Sequence, residues 1–168
     1  ETLAPLDRLD KPARLLAVLA PVMAVGFVYS QARILFVAKG IPAWRAPEIV
    51  PLILATSAAE GAGALALAVE PRAAIAAVLV LTVVLREAAL GYYHGRVAAT
   101  LVPGARKAID DIRTAHLWLG TVVPCAIVGA LLLYGELLRM PLVTAGHAAV
   151  AAGWLLKLTL VTRASFNQ

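Results

Sequence analysis

The stretch "AAIAAVLVLTVVLREAALGYYHGRVA", Ala73–Ala98, decides the fold. A helix needs roughly 20 predominantly apolar residues to cross a hydrocarbon core about 30 Å thick, and this stretch is longer than that. It is also uniformly apolar up to Arg86 and Glu87, whereas the strands of a membrane barrel alternate in polarity. We therefore predict a transmembrane helix that carries two charged side chains near its middle.

The composition of the whole chain agrees with a membrane protein. Of its 168 residues, 61% are hydrophobic and only 15% are charged, and the mean hydropathy is +0.85. Soluble domains are closer to half apolar and a quarter charged. The net charge of +5 includes no basic block of the kind that binds nucleic acid, so nucleic acid is not an expected partner. The single cysteine, Cys125, allows neither a disulfide framework nor an iron–sulfur cluster held by this chain alone.

Five spans account for the rest of the sequence, so we predict an all-α, polytopic transmembrane helix bundle that forms one domain over residues 1–168. Asp10 and Pro12 are typical of a helix start, and Gly40, Pro42 and Pro47 mark the first loop. The polar connection "TLVPGARKAIDDIRT", residues 100–114, is predicted to be a loop with a short surface helix. The predicted spans are residues 13–38, 49–69, 73–98, 115–134 and 142–163.

The distribution of Lys and Arg predicts the orientation. With five spans, the first and third loops share one side of the membrane with the C-terminus, and basic residues favour the cytoplasmic side. We therefore predict a cytoplasmic C-terminus. The chain starts with Glu1 and lacks signal-peptide features, so its natural first residues are expected to be absent. The basic residues on the C-terminal side are Lys39, Arg45, Arg96, Arg106, Lys107, Arg113 and Arg163, against Arg8, Lys11, Arg14, Arg72 and Arg139 on the other.

Ionisable side chains inside the spans are the candidate functional residues. Each is costly in hydrocarbon unless it meets a partner, a wet cavity or an interface. With a rise of about 1.5 Å per residue, all of them except His147 fall between the membrane middle and the C-terminal side. A clustering of both signs from several helices predicts a shared site inside the bundle. The residues are Arg33, Glu60, Arg86, Glu87, His94, His147 and Lys157.

Helical spacing indicates which of these residues share a face. Glu87 and His94 are seven residues apart on one stripe, and Arg86 and Tyr93 form the neighbouring stripe. Glu60 lies in "SAAEGAGA", residues 57–64, where small residues four apart let another helix approach closely. Glu60 is therefore expected to face protein.

The last span contains further candidates. Several candidates, there and on the first span, also have a purely structural interpretation. Lys157 is expected to face the bundle with a glutamate as its counter-charge. Arg33 and Arg163 can extend to the headgroups, and His147 and Trp154 are candidates for packing or for the membrane interface. Arg–Glu pairs can also serve only to lock the helices together.

Two stretches carry a family resemblance. "GFVYSQARILFVAKGIPAWRAPEIVPLILATSAAEGAG", residues 26–63, resembles the NrfD-like membrane anchor subunits of molybdopterin oxidoreductases, the polysulfide and dimethyl sulfoxide reductase type. "GWLLKLTLVTRASFNQ", residues 153–168, resembles their last span, especially in the branch of phenylacetyl-CoA:acceptor oxidoreductases. These anchors have eight or more spans, so the resemblance implies that the first helices are missing here.

The resemblance implies a function and a location. Such an anchor sits in the bacterial or archaeal cytoplasmic membrane among its lipids and holds no redox cofactor of its own. It docks an iron–sulfur electron-transfer subunit and a molybdopterin catalytic subunit containing molybdenum or tungsten. It exchanges electrons and protons with a quinone, either menaquinone or ubiquinone. No residue of this chain is expected to be catalytic or to bind a metal.

The candidate residues can be given roles at such a quinone site. His94 or Tyr93 is a possible hydrogen-bond donor to a quinone carbonyl, and Glu60 or Glu87 a possible proton relay. Arg86 or Lys157 can hold those acids ionised, or stabilise negative charge that develops on the quinone.

Two other functions stay open at this stage. A haem b-type cytochrome anchor needs two histidines at matching depth on facing helices, and His94 and His116 are a conceivable pair. A secondary transporter can use the same buried charges, although transporters often show internal repeats and broken helices. The sequence has no evident repeat, and Pro21 and Pro124 are its only signs of an interrupted span.

Overall fold

A computed structural model describes residues 10–38, 40–135 and 138–164, and over these residues the chain is all-helical with no strand. Five helical runs are long and apolar enough to cross a membrane, which confirms the predicted fold class. The helices are α1 Lys11–Val37, α2 Ile49–Ala68, α3 Ala73–Val97, α4 Pro103–His116, α5 Val123–Leu133 and α6 Arg139–Thr162.

Helix α1 lies at the edge of the bundle. It begins as predicted, with the Asp10 side chain accepting a hydrogen bond from the Ala13 N–H at 3.2 Å and with Pro12 in the first turn. Pro21 does not interrupt the helix. Ala32 is its one buried residue among those described, and most of its apolar side chains are exposed. Such an exposed apolar surface suits contact with lipid.

The fourth span differs from the prediction. The connection predicted as a loop with a surface helix is continuous with the span, so residues 103–133 form one helical run. The predicted pair of Lys107 and Asp111 is present, with 2.7 Å between Nζ and Oδ2. On the opposite face Ala105 and Ile109 are buried, and this amphipathic pattern keeps α4 packed against the bundle. At about 1.5 Å per residue the run is longer than a hydrocarbon core of about 30 Å is thick, so it is long enough to place its polar turns outside the core.

A π-helical segment, Leu117–Val122, joins α4 to α5. Pro124 follows it and has no N–H to donate to the carbonyl four residues back, which belongs to Gly120. A proline in a helix interior also clashes with that carbonyl, and a π-helical turn is one way in which a helix accommodates the disturbance. The irregular turn therefore has a local cause in the sequence.

Helices α2 and α6 cross in close contact. A Cβ atom added to Gly63 would lie 2.8 Å from the carbonyl oxygen of Gly146, and the converse distance is also 2.8 Å. Ala59 on α2 and Ala149 on α6 are buried beside this contact. Gly61, in contrast, is exposed. The small residues near Glu60 thus admit another helix as predicted, through the Ala59 and Gly63 pair.

Gly146→Leu is expected to destabilise the bundle because its side chain would enter the α2 backbone. Overpacking costs about 1–3 kcal/mol in well-packed interiors, and backbone on both sides leaves little room to relax. The measurement is thermal unfolding of the purified chain in detergent. Gly129→Leu is the control, since a Cβ there meets no described atom within 4 Å. Equal unfolding temperatures for the two variants would contradict this packing.

The first loop is tied to the bundle by two long-range hydrogen bonds. The short 3-10 helix Pro42–Trp44 follows α1. The Tyr93 hydroxyl on α3 donates to the carbonyl of Ala43 at 2.7 Å, and the Trp44 indole N–H donates to the carbonyl of Leu160 on α6 at 3.1 Å. These bonds bring the loop onto the ends of α3 and α6, on the side where α4 begins.

Candidate functional site

Glu60 and Lys157 form an ion pair between α2 and α6. The Lys157 Nζ lies 2.5 Å from Glu60 Oε2 and also donates to the Ser57 hydroxyl at 3.2 Å. Both charged side chains are half-buried. The glutamate that the sequence led us to expect beside Lys157 is therefore Glu60.

Gly153 creates the space for the Glu60 side chain against α6. A Cβ atom on Gly153 would lie 2.5 Å from Glu60 Oε1 and 2.7 Å from its Cγ. Any larger residue would push the carboxylate away from the helix that carries Lys157. The sequence hypothesis did not include Gly153, although it lies one turn before Lys157.

Arg86 is the centre of the buried polar groups. Its side chain is fully buried, and its two Nη atoms donate to the carbonyls of Ala149 on α6, at 2.7 Å, and of Gly120, at 2.5 Å. The guanidinium also interacts electrostatically with Glu87 and Glu60. Arg86 thus links α3 to the π-helical segment and to α6, and its charge balances acids on two sides.

Gly120 is needed for this arrangement in two ways. A Cβ there would lie 2.7 Å from Arg86 Nη2 and 2.7 Å from the Ala152 Cβ, so only glycine leaves room for the guanidinium. Its carbonyl is also the one that Pro124 cannot engage by the usual helical bond. Arg86 supplies a hydrogen bond at that point.

Glu87 pairs with His116 of α4. Its Oε2 atom lies 3.0 Å from His116 Nδ1, and the Thr121 hydroxyl donates to the same oxygen at 3.4 Å. The His116 side chain is completely buried. The sequence hypothesis considered His116 only as a haem ligand and did not consider Thr121. Both were missed as partners of Glu87 because their positions depend on how α4 continues into the span.

His94 lies in the last turn of α3 and contacts two side chains of α4. Its Nε2 lies 2.6 Å from Asp110 Oδ1, and Arg113 Nη1 lies 3.5 Å from its Nδ1. His94 and His116 therefore have separate carboxylate partners, and the structure does not bring the two imidazoles together as a facing pair. Tyr93 is buried and bonded to the first loop.

The remaining candidates lie on the outside of the bundle. Arg33 is exposed and its Cζ atom lies 5.2 Å from the ring centroid of Phe36. His147 is exposed and donates from Nδ1 to the carbonyl of Val143 at 3.0 Å. Trp154 is exposed, and Arg163 is the exposed residue that caps α6. Their positions suit the lipid and interface roles considered for them.

Three buried polar atoms lack a hydrogen-bond partner among the residues that the structure describes. They belong to the three side chains already placed in the network: Glu60 Oε1, Arg86 Nε and His116 Nε2. Buried polar groups are nearly always paired, so each unpaired one needs an explanation, such as local strain, a functional role, or a bound water or ion. Over the same residues, no group of three or more His, Cys, Asp and Glu side chains is placed to hold a metal ion.

A groove of about 650 Å³ opens beside the Glu60–Lys157 pair, between α1, α2 and α6. Most of its lining is apolar, as expected of a surface that opens towards lipid. The charged side chains enter it from the middle of α2, at Glu60, and from the last third of α6, at Lys157. Its lining includes Phe27, Gln31, Ser57, Glu60, Trp154 and Lys157.

Comparison with protein-family models, with curated proteins and with solved structures finds no match to this chain.

Proposed function

We propose that this chain is the quinone-exchanging membrane anchor subunit of a molybdenum or tungsten oxidoreductase. In this proposal it lies in a bacterial or archaeal cytoplasmic membrane, with its C-terminus in the cytoplasm. It docks an iron–sulfur subunit that carries electrons between the quinone and a molybdopterin catalytic subunit. The partner subunits are inferred from the resemblance of residues 26–63 and 153–168 to NrfD-like anchors. The quinone site is argued from the groove.

One observation carries the quinone site: an apolar groove that ends on a charged pair. A volume of about 650 Å³ falls within the range of small-molecule sites, about 300–1,000 Å³, which are mostly apolar with a few placed polar groups. A quinone has this character, with an apolar tail and two carbonyl oxygens on its ring. The groove lies between helices that face lipid, which is where a quinone diffuses.

The side chains at the groove have the chemistry that quinone reduction needs. Reduction to a quinol takes up two electrons and two protons, and the electrons come from the iron–sulfur partner. Lys157 and Ser57 can donate hydrogen bonds to a carbonyl oxygen, and Glu60 can give and regain a proton. Arg86 balances the Glu60 charge from inside the bundle. Tyr93 and His94 do not line the groove, so the proposal assigns them no contact with the quinone.

Glu60→Gln in the purified complex is expected to lower quinone-linked turnover at least tenfold. The amide keeps the size of the side chain but cannot relay a proton, and a positioned acid or base typically contributes about 10²–10⁴ in rate. Dye-linked activity of the catalytic subunit should stay unchanged, because the dye bypasses the membrane. Glu70→Gln is the matched control, since Glu70 is exposed and pairs with Arg139 away from the groove. Normal quinone-linked turnover in Glu60→Gln would contradict the proposed site.

A secondary transporter is the second candidate, favoured by the π-helical segment at Arg86. Transporters often place an interrupted helix and buried charges at the same depth. The two proposals predict different co-purifying proteins when the chain is extracted from native membranes in mild detergent. An iron–sulfur and a molybdopterin subunit are expected for the anchor. Recovery of the chain alone, with substrate-driven proton uptake in vesicles, would favour the transporter.

A further inference from the structure

Gln31 is a polar side chain of the groove that takes no part in the network of charges. It belongs to α1, lines the groove and is exposed. Over the described residues its amide has no hydrogen-bond partner. An unpaired polar group costs free energy in apolar surroundings, so an amide at this position calls for a ligand or water. The sequence hypothesis did not include Gln31, because its side chain is uncharged.

Gln31 lies at nearly the same depth as Lys157. It comes six residues before the end of α1, and Lys157 comes five residues before the end of α6, which is about 9 Å and about 8 Å at 1.5 Å per residue. The two helix ends share one side, because the loop after α1 is bonded to Leu160 of α6 through Trp44. Helical side chains lean towards the N-terminus of their helix, so both lean towards the membrane middle.

We propose that Gln31 binds the second carbonyl oxygen of a quinone whose first carbonyl oxygen meets Lys157 and Ser57. The proposal rests on the proposed function, since it concerns the same groove. The carbonyls of a para-quinone lie at opposite ends of its ring, and the groove has donors on different walls, with Lys157 and Ser57 on α6 and α2 and Gln31 on α1. The substrate class is therefore a para-quinone held at both carbonyls across the groove.

The first carbonyl is met by groups whose capacity for hydrogen bonds is not used up. Lys157 donates to the Ser57 hydroxyl, and the hydrogen of that hydroxyl has no acceptor among the described residues. Glu60 Oε1 is buried beside them without a partner. Unused polar groups thus lie on α2 and α6 as well as on α1, as a ligand with two carbonyl oxygens requires.

An amide suits both oxidation states of the ligand. Its NH₂ group can donate to the carbonyl of a quinone, and its oxygen can accept from the hydroxyl of a quinol. Lys157 has donors only. The amide neither gives nor takes up a proton, so Gln31 holds the ring in place while Glu60 remains the proton donor of the proposed site.

The test observes the two carbonyls of a bound quinone separately. Menadione, isotopically labelled at one carbonyl or at the other, is bound to the intact complex, and each carbonyl stretching band is compared with the same quinone in detergent alone. Hydrogen bonding lowers the stretching frequency, so both bands should be shifted down in the unmodified complex. In Gln31→Met one band should return to its position in detergent, and the other should keep its shift.

Ser30→Ala is the matched control. It removes a polar group from the neighbouring position of α1, where the hydroxyl donates to the carbonyl of Gly26 and does not line the groove. Both bands should stay shifted in this variant. Gln31→Met should also assemble and unfold like the unmodified complex, because the amide bonds no described group. A lower unfolding temperature would show a structural role instead and would overturn the proposal.

Steady-state kinetics give a second measurement. Gln31→Met is expected to raise the KM for menadione about fivefold, the effect of losing one hydrogen bond of ordinary strength. The kcat should change less than twofold, because the bond is made equally before and during the reaction. Dye-linked activity should be unchanged, and Ser30→Ala should keep the KM of the unmodified complex. An unchanged KM in Gln31→Met would contradict the contact.

The infrared result separates this inference from the proposed function. One shifted band in the unmodified complex, or two bands that stay shifted in Gln31→Met, would overturn the contact with Gln31 and leave the quinone site standing. No shifted band in the unmodified complex would contradict the quinone site itself.

Discussion

Lys157→Met is expected to destabilise the chain strongly, and a second substitution, Glu60→Gln, is expected to restore much of the loss. Methionine occupies a similar volume but leaves the Glu60 carboxylate in the bundle without the ammonium at 2.5 Å. A charge near the centre of a membrane helix costs about 2.5–3.5 kcal/mol on insertion scales, and we expect the more distant charge of Arg86 to offset only part of that cost. The double variant removes both charges, so that cost disappears.

The measurement is a double-mutant cycle on thermal unfolding in detergent, with the parent chain, both single variants and the double variant. A pair in contact should show a clear coupling, with the double variant more stable than Lys157→Met. Arg139→Met is the control, because its partner Glu70 is exposed and such surface pairs contribute about 0–1 kcal/mol. Additive effects of the Glu60 and Lys157 substitutions would show that the pair does not form.

The same double variant separates folding from function. If Glu60 and Lys157 serve only to lock α2 against α6, a stable double variant should keep its quinone-linked turnover once the complex has assembled. The quinone proposal expects turnover to stay at least tenfold low, since neither the proton donor nor the ammonium remains at the groove.

The spans could be predicted from the sequence because their signals are local. Apolar length and the Gly and Pro residues between runs predicted a third span at residues 73–98, and α3 is Ala73–Val97. The fourth span shows the limit of such reasoning. Charges in residues 100–114 suggested a loop with a short surface helix, whereas a helix that is longer than the membrane is thick can carry charges on its outer turns.

The candidate site was predictable in its members and not in its pairings. Spacing placed Glu87 and His94 on one stripe of α3, and both turn out to meet α4. Their partners, Asp110 and His116, could not be chosen while residues 100–114 were predicted to be a loop with a short surface helix, separate from the span that begins at residue 115. The partner of Lys157 was predicted to be a glutamate, but the choice of Glu60 depends on α2 and α6 crossing at Gly63, and sequence spacing does not order helices in space.

Arg86→Met is expected to destabilise the bundle more than the other substitutions that remove a charge. Removing one partner of a buried ionic network typically costs about 3–5 kcal/mol, because the groups left behind stay buried. Here the loss affects the carbonyls of Gly120 and Ala149 together with the charges of Glu60 and Glu87. Arg86→Lys should rescue only in part, since one ammonium does not reproduce the planar fork that reaches two carbonyls on different helices.

A further substitution tests why Arg86 lies beside the Gly120 carbonyl. Pro124→Ala restores an N–H that can bond the Gly120 carbonyl, so in the Arg86→Met background it should recover about 1 kcal/mol, the usual net value of a hydrogen bond. Pro21→Ala in the same background is the control, because Pro21 lies in α1, away from Arg86. Recovery specific to Pro124→Ala would tie the arginine to the helix irregularity that the proline creates. Equal recovery in both, or in neither, would mean that the position of Arg86 does not depend on the helix irregularity at Pro124.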